Sequence, residues 1–235
     1  DVRPLPGFSH EEYPYPHKLG ICVQPIYYHA DWTAFIQFFE YWIAAGATKF
    51  YIYLHSCTRQ VKRILDFYSV LLGDGMELIE WSDLPVAQKN RGNFFDDPNT
   101  RLFRAGAYAA INDCTLRARW RVKYLALMDI DEIMKTTNGT QLVHRLDQLA
   151  DLSPFSATFS LQWRYAMFEN NQRLKRIRFP KQISFDSLGQ LGLVPSESVQ
   201  YDYARLRKII QRPERVLITD IHNTISNENI PIPSE

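Results

Sequence analysis

VKYLALMDIDEIM, residues 122–134, decides how the rest of the chain is read. Its first seven residues form a short, almost continuous apolar run, the pattern of a strand covered on both faces. The run then ends in Asp129, Asp131 and Glu132. In an extended segment side chains alternate, so Asp129 and Asp131 are expected on one side and Glu132 on the other. Two carboxylates that close do not both ionise comfortably without a counter-charge. A hard divalent cation, Mg²⁺ or Mn²⁺, supplies one with few protein ligands and leaves positions for phosphate oxygens and water. A solvated surface turn is the plainer alternative, and the buried strand directly before the acids argues against it.

Working back from this strand, apolar runs and helical spacing alternate. Ile21–Ile26 reads as a strand. Trp32, Phe35, Ile36, Phe39, Trp42 and Ile43 recur at helical spacing, with Asp31 placed as the N-cap and Gly46 as the stop. Lys49–Leu54 is a second strand, and Val61, Ile64, Leu65, Tyr68 and Leu72 mark a helix ended by Gly73. Met76–Trp81 is a third strand, Ser82–Thr100 a loop, and Arg101–Trp120 a helix leading to Val122. Strands separated by helices imply right-handed crossovers and a mostly parallel sheet flanked by helices. In such sheets ligands bind beyond the carboxyl ends of the strands, where Asp129 and Asp131 fall.

Beyond Glu132 the pattern loosens. A helix near Gln141–Ala150 and a strand over Ala157–Ala166 precede an irregular stretch, Glu169–Tyr201, that holds the basic run Arg173–Lys181. Short strands at Arg207–Gln211 and Val216–Thr219 lead to Asp220-Ile221-His222. The expectation is one α/β domain, Rossmann-like over about 18–135 and loop-rich over about 136–235.

Twenty-seven basic and 26 acidic residues among 235 leave a net charge of +1, without the basic excess of a nucleic-acid binder. No run of about 18 apolar residues marks a membrane span. The chain opens at Asp1 and reads as part of something longer, so any anchor would lie outside it. Cys22, Cys57 and Cys114 match neither a zinc pattern nor a disulfide framework, and Cys22 and Cys114 read as buried thiols. Asn138-Gly-Thr is a glycosylation sequon.

Two enzyme classes close a strand with Asp-x-Asp. Haloacid-dehalogenase-type phosphohydrolases carry it on the first strand with a downstream Lys and paired Asp. Here three strands precede it and no paired Asp follows. Nucleotide-sugar-dependent glycosyltransferases of the GT-A type carry it after a Rossmann-like half, as here.

The surrounding segments narrow this further. ICVQPIYY, FFEYWIAAGATKFYIYLHS, IEWSDLP, AAINDCTLRARWRVKYLALMDIDEIM and RKIIQRPERVLITDIHN occur in the order seen in glycosyltransferase family 92, which this chain resembles over most of its length. One departure is Ala107, where the resemblance leads one to expect Gln after Gly106. The resemblance implies a GT-A fold and an inverting transfer from a UDP-sugar, UDP-galactose first, with Mn²⁺ or Mg²⁺. The acceptor would be a glycan, and the setting the Golgi lumen, on a type II membrane protein. Asp129 would face the donor ribose or the metal, Asp131 would ligate the metal, and His222 would supply a third ligand. From the residues alone, a lone His beside a strand is more often structural. Donor contacts are expected from Gln24 and Pro25, through to Tyr27, from His55, and from Arg104 and Asn112. A general base is needed in the later half, with Glu169, Asp186 and Asp202 as candidates. Trp163 and Tyr165 are candidates to stack on an acceptor sugar, although a strand aromatic is more often core. A catalytically silent relative that binds a glycan or a protein partner is the alternative.

Overall fold

KFYIYL shows why these residues build a sheet with two covered faces. Phe50 packs with Phe38 and Phe39, while Tyr51 and Tyr53 join a separate cluster with Ala107, Ala110, Ile111 and Cys114. Alternation along one strand therefore feeds two cores. The computed structural model describes residues 15–134, 136, 140–162, 166–168, 193–195 and 207–227. The chain divides into two compact units, Asp1–Ser160 with Lys208–Glu235, and Leu161–Arg207.

The first unit runs β1 (His17–Ile26), α1 (Trp32–Ala44), β2 (Ala47–Leu54), α2 (Arg59–Leu72), β3 (Met76–Glu80), α3 (Ala107–Ala118), β4 (Val122–Met128), α4 (Leu142–Leu152) and β5 (Thr158–Gln162). In the second unit β6 (Ala166–Phe168) pairs antiparallel with β7 (Leu193–Pro195). The chain then returns to the first unit through β8 (Arg207–Gln211), β9 (Val216–Thr219) and β10 (Thr224–Asn227).

Six strands form one sheet in the order β3-β2-β1-β4-β8-β5. The four early strands are parallel, and β8 runs antiparallel to β4. This is the expected mixed, mostly parallel sheet flanked by helices. The nucleotide half expected at 18–135 shares it with β8, a strand from the far end of the chain.

The ends of α1 follow their expected signals, and the start of α2 shows a cap that was not among them. Asp31 caps α1 by accepting from the backbone N–H groups of Thr33 and Ala34, and Thr58 caps α2 through Val61. Gly46 ends α1 with φ of 98°, a conformation that a side chain would strain. One face buries Phe35, Phe38, Phe39 and Trp42 of α1, with Phe39 stacked on Tyr68 of α2 at 4.2 Å. No helix among the described residues is long and apolar enough to cross a membrane.

Three expectations are corrected. The helix expected from Arg101 begins at Ala107, because Arg104, Ala105 and Gly106 take successive left-handed conformations, φ of 45°, 54° and 81°. A helix does not propagate through such residues. Cys22 and Cys114 are a disulfide joining β1 to α3, not free thiols, and Cys57 is the free cysteine. Lying 92 residues apart, the two sulfurs meet only because α3 packs across β1. Within the irregular stretch, Leu193–Pro195 is a strand.

Candidate functional site

The early strands are laid down in two directions. From β1 the chain moves through α1 and α2 to β2 and β3 on one side, and α3 carries it back to β4 on the other. A crevice opens beyond the strand ends where such a sheet changes direction. Here that place lies between β1 and β4. A cleft of about 510 Å³ occupies it. Val23–Tyr27 line it from the end of β1 and Asp129–Asp131 from the end of β4. His29, Asp31, Ala34 and Arg104 complete the wall.

The register explains the first contact. Val23 lies opposite Met128 in the parallel pair, so the next residues along, Gln24 and Asp129, emerge together. The Gln24 side-chain amide donates to Asp129 Oδ1 at 2.9 Å. The second oxygen, Oδ2, accepts from Lys208 Nζ at 3.0 Å. Lys208 also meets Glu132 Oε2 at 2.7 Å, and its side chain is only 8% exposed. Glu132 Oε2 accepts in turn from the Asp129 backbone N–H at 3.0 Å. Burial pushes the Glu132 carboxyl above its ordinary value; Lys208 opposes that rise and the Asp129 charge adds to it.

Asp129 and Asp131 do share the cleft, but not through strand alternation. The strand ends at Met128, and the Glu132 N–H donates to the Asp129 carbonyl at 3.2 Å, closing a turn. Glu132 supports the turn by folding back onto it, not by pointing away. Asp131 is exposed, and its carboxylate has no hydrogen bond or ion pair among the described residues.

The other expected donor residues separate into two groups. Gln24, Pro25 and Arg104 line the cleft. Arg104 reaches it from the left-handed segment before α3, where Trp81 Nε1 donates to the Ala105 carbonyl at 2.7 Å. His55 and Asn112 are not on the cleft wall. His55 pairs with Asp83 Oδ1 at 2.9 Å. Asn112 donates to the carbonyls of Tyr108 and Thr219 and accepts from the Thr219 N–H, tying α3 to β9. Ala107 is fully buried in the cluster beneath α3.

His222 follows β9, and among the described residues no three His, Cys, Asp or Glu side chains gather as an ion site. Asp129, Asp131 and His222 therefore do not form a ready-made set. The base candidates Glu169, Asp186 and Asp202 lie outside the described residues, as do Trp163, Tyr165, Arg173–Lys181 and Asn138. Sequence reading missed Lys208. Its only signal was its place second in the short strand RKIIQ, directly before Ile209 and Ile210.

The family model described as glycosyltransferase family 92 matches residues 17–231. No curated protein matches. A solved structure described as "delta-N METTL16 MTase domain" aligns with 70% of this chain and 71% of that one, at 10% identity. Its TM-score of 0.22 is too low to carry any argument.

Proposed function

The chain belongs to glycosyltransferase family 92, and we propose that it transfers galactose from UDP-galactose to a glycan acceptor with inversion at the anomeric carbon. The observation that carries this reading is a cleft at the β1–β4 switch in which Asp131 stands exposed beside a firmly held Asp129.

A divalent ion fits this donor set. Asp131 offers hard oxygens without a competing partner among the described residues, and a site with few protein ligands suits Mn²⁺ or Mg²⁺ bound with a diphosphate. When bound, the ion offsets charge developing on the departing UDP. Arg104 lines the same cleft and would meet a diphosphate oxygen. Gln24 holds Asp129 at the strand end, and Pro25 and Tyr27 would wall the nucleoside. His222 is proposed as a further ligand that joins when donor binds.

The reaction is a single displacement. The acceptor oxygen bonds to the anomeric carbon as the bond to the diphosphate oxygen breaks. The hydroxyl proton passes to a carboxylate of the later half, Glu169 or Asp186. The Cys22–Cys114 disulfide supports a luminal, oxidising setting such as the Golgi, with membrane attachment through an anchor outside this chain.

The test is UDP binding by calorimetry with and without Mn²⁺, followed by UDP-galactose turnover over a panel of glycan acceptors. Metal-dependent UDP binding, lost in Asp131→Ala at unchanged melting temperature, is the expected result. Metal-dependent UDP affinity that survives Asp131→Ala overturns the ligand assignment. UDP binding without transfer to any acceptor favours a silent binding relative.

A further inference from the structure

We infer that Lys208 is a positioning residue that keeps the Asp129 carboxylate paired within the cleft wall, so that a divalent ion in the cleft meets Asp131 and not Asp129. The inference rests on the metal reading above and assigns a role to a residue outside the Asp-x-Asp segment.

Lys208 belongs to β8, which enters the sheet from the far end of the chain. Its register with β4 sets Leu125 against Gln211 and Ala126 against Ile210. Continued two residues, that register brings Lys208 across from Met128, beside the start of the acidic turn. An ammonium this buried must be paired, because removing a charge from water without a partner is strongly unfavourable. Its partners are Asp129 Oδ2 at 3.0 Å and Glu132 Oε2 at 2.7 Å. The lysine thus neutralises one carboxylate within the cleft wall and the half-buried one behind it.

Both Asp129 oxygens are engaged. Gln24 occupies Oδ1 and Lys208 occupies Oδ2. A cation approaching Oδ2 would crowd the ammonium and meet like charge. One approaching Oδ1 would have to displace the Gln24 amide. Asp131 sits two residues on, exposed, with neither restraint. The turn is therefore sorted into one carboxylate that shapes the site and one that is open to an ion. Lys208 makes that division.

The test is titration of Mn²⁺, followed by electron paramagnetic resonance of the free ion, with UDP at a fixed concentration. The proteins are the parent chain, Asp129→Asn, Asp131→Asn, Lys208→Met, Lys208→Arg and Lys208→Met with Asp129→Asn. Asp131→Asn is expected to lose binding. Asp129→Asn should stay within about threefold of the parent, the effect of a charge already screened by its partner. Lys208→Met should tighten Mn²⁺ binding by about tenfold, as Asp129 loses its competing cation. The double variant should cancel that gain, and Lys208→Arg should retain the parent affinity. A merely structural lysine would not produce a gain that Asp129→Asn removes.

Equal loss in Asp129→Asn and Asp131→Asn overturns this inference and leaves the metal reading standing. Unchanged affinity in a folded Lys208→Met also overturns it. If Lys208→Met does not fold, the Asp129→Asn and Asp131→Asn contrast decides alone. A parent chain that binds no Mn²⁺ overturns the metal reading, and this inference with it.

Discussion

The seam between α3 and the sheet and the cleft at the β1–β4 strand ends are both rich in polar residues, yet they differ in what those residues have left to offer. Along the seam Asn112, Asp113 and Thr115 each face a protein partner, while Gln211 Oε1 and the Tyr51 hydroxyl are buried without one among the described residues. Asn112 is held by Thr219 and Tyr108, Thr115 accepts from the fully buried Gln211 at 2.6 Å, and Asp113 accepts from Tyr53 and Arg117 at 2.6 Å each. The Cys22–Cys114 bond crosses the same seam. In the cleft the pairing stops short: Asp129 and Glu132 are bound to Lys208, and Asp131 is exposed. Buried polar groups that satisfy one another hold a fold together. A carboxylate left open at a strand end is available to a ligand. What separates the two regions is an exposed carboxylate in the cleft, where the seam's carboxylate, Asp113, is bound.

The comparison breaks if the seam proves dispensable. Replacing Cys22 and Cys114 together by Ala should cost about 4.6 kcal/mol of stability, the chain-entropy value for a loop of this length. Thermal melts under non-reducing conditions would read it, and an unchanged midpoint would mean that the bond does not staple the seam. Asn112→Ala should cost about 2 kcal/mol, because it leaves the Thr219 backbone groups without their partner. UDP affinity in that variant should match the parent; a selective loss of UDP binding would move Asn112 into the donor site.

Asp31 sharpens the comparison, since it lines the cleft yet is bonded as a helix cap. Asp31→Ala should cost about 1 kcal/mol. A hydrogen bond from the Thr33 hydroxyl holds the Asp31 carboxyl below its ordinary value, with the N–H groups of Ala34 and Thr33 adding to the effect. A lowered carboxyl stabilises the fold above its unfolded value of about 4 and loses that contribution as pH falls through the folded value. The difference between parent and Asp31→Ala should therefore shrink in denaturant melts taken from pH 6 down into the acid range. A difference that persists in acid would assign the cost to something other than the charged cap. The smallest expected effect on stability is at Asp131. Its replacement by Ala should stay within about 0.5 kcal/mol of the parent, as for an exposed site without partners among the described residues. A large loss would make it a structural residue.

Most of the sheet was legible because its signals are local. Near-continuous apolar runs bounded by Asp31, Gly46 and Gly73 announce strands and helices wherever they occur. The start of α3 was not, since nothing in the composition of Arg104-Ala105-Gly106 announces three successive left-handed residues. That conformation accompanies the Trp81 contact to Ala105, a tertiary feature. In the site, Asp129 and Asp131 were visible as charges that interrupt an apolar run. The tie between Asn112 and Thr219 was not legible, because the two lie 107 residues apart.

By itself the sequence determined the alternation of strands and helices, the parallel sheet, and the carboxylates at the end of VKYLALM, because each follows from periodicity or from charge within a few residues. Only the tertiary structure decided which sulfurs meet, which polar side chains are saturated, and which aspartate is left open. Those outcomes depend on pairings between distant segments: α3 across β1, Gln24 beside Asp129, and β8 bringing Lys208 to the acidic turn. A buried ammonium finds its carboxylate only when two strands share a register, and no local pattern encodes that register.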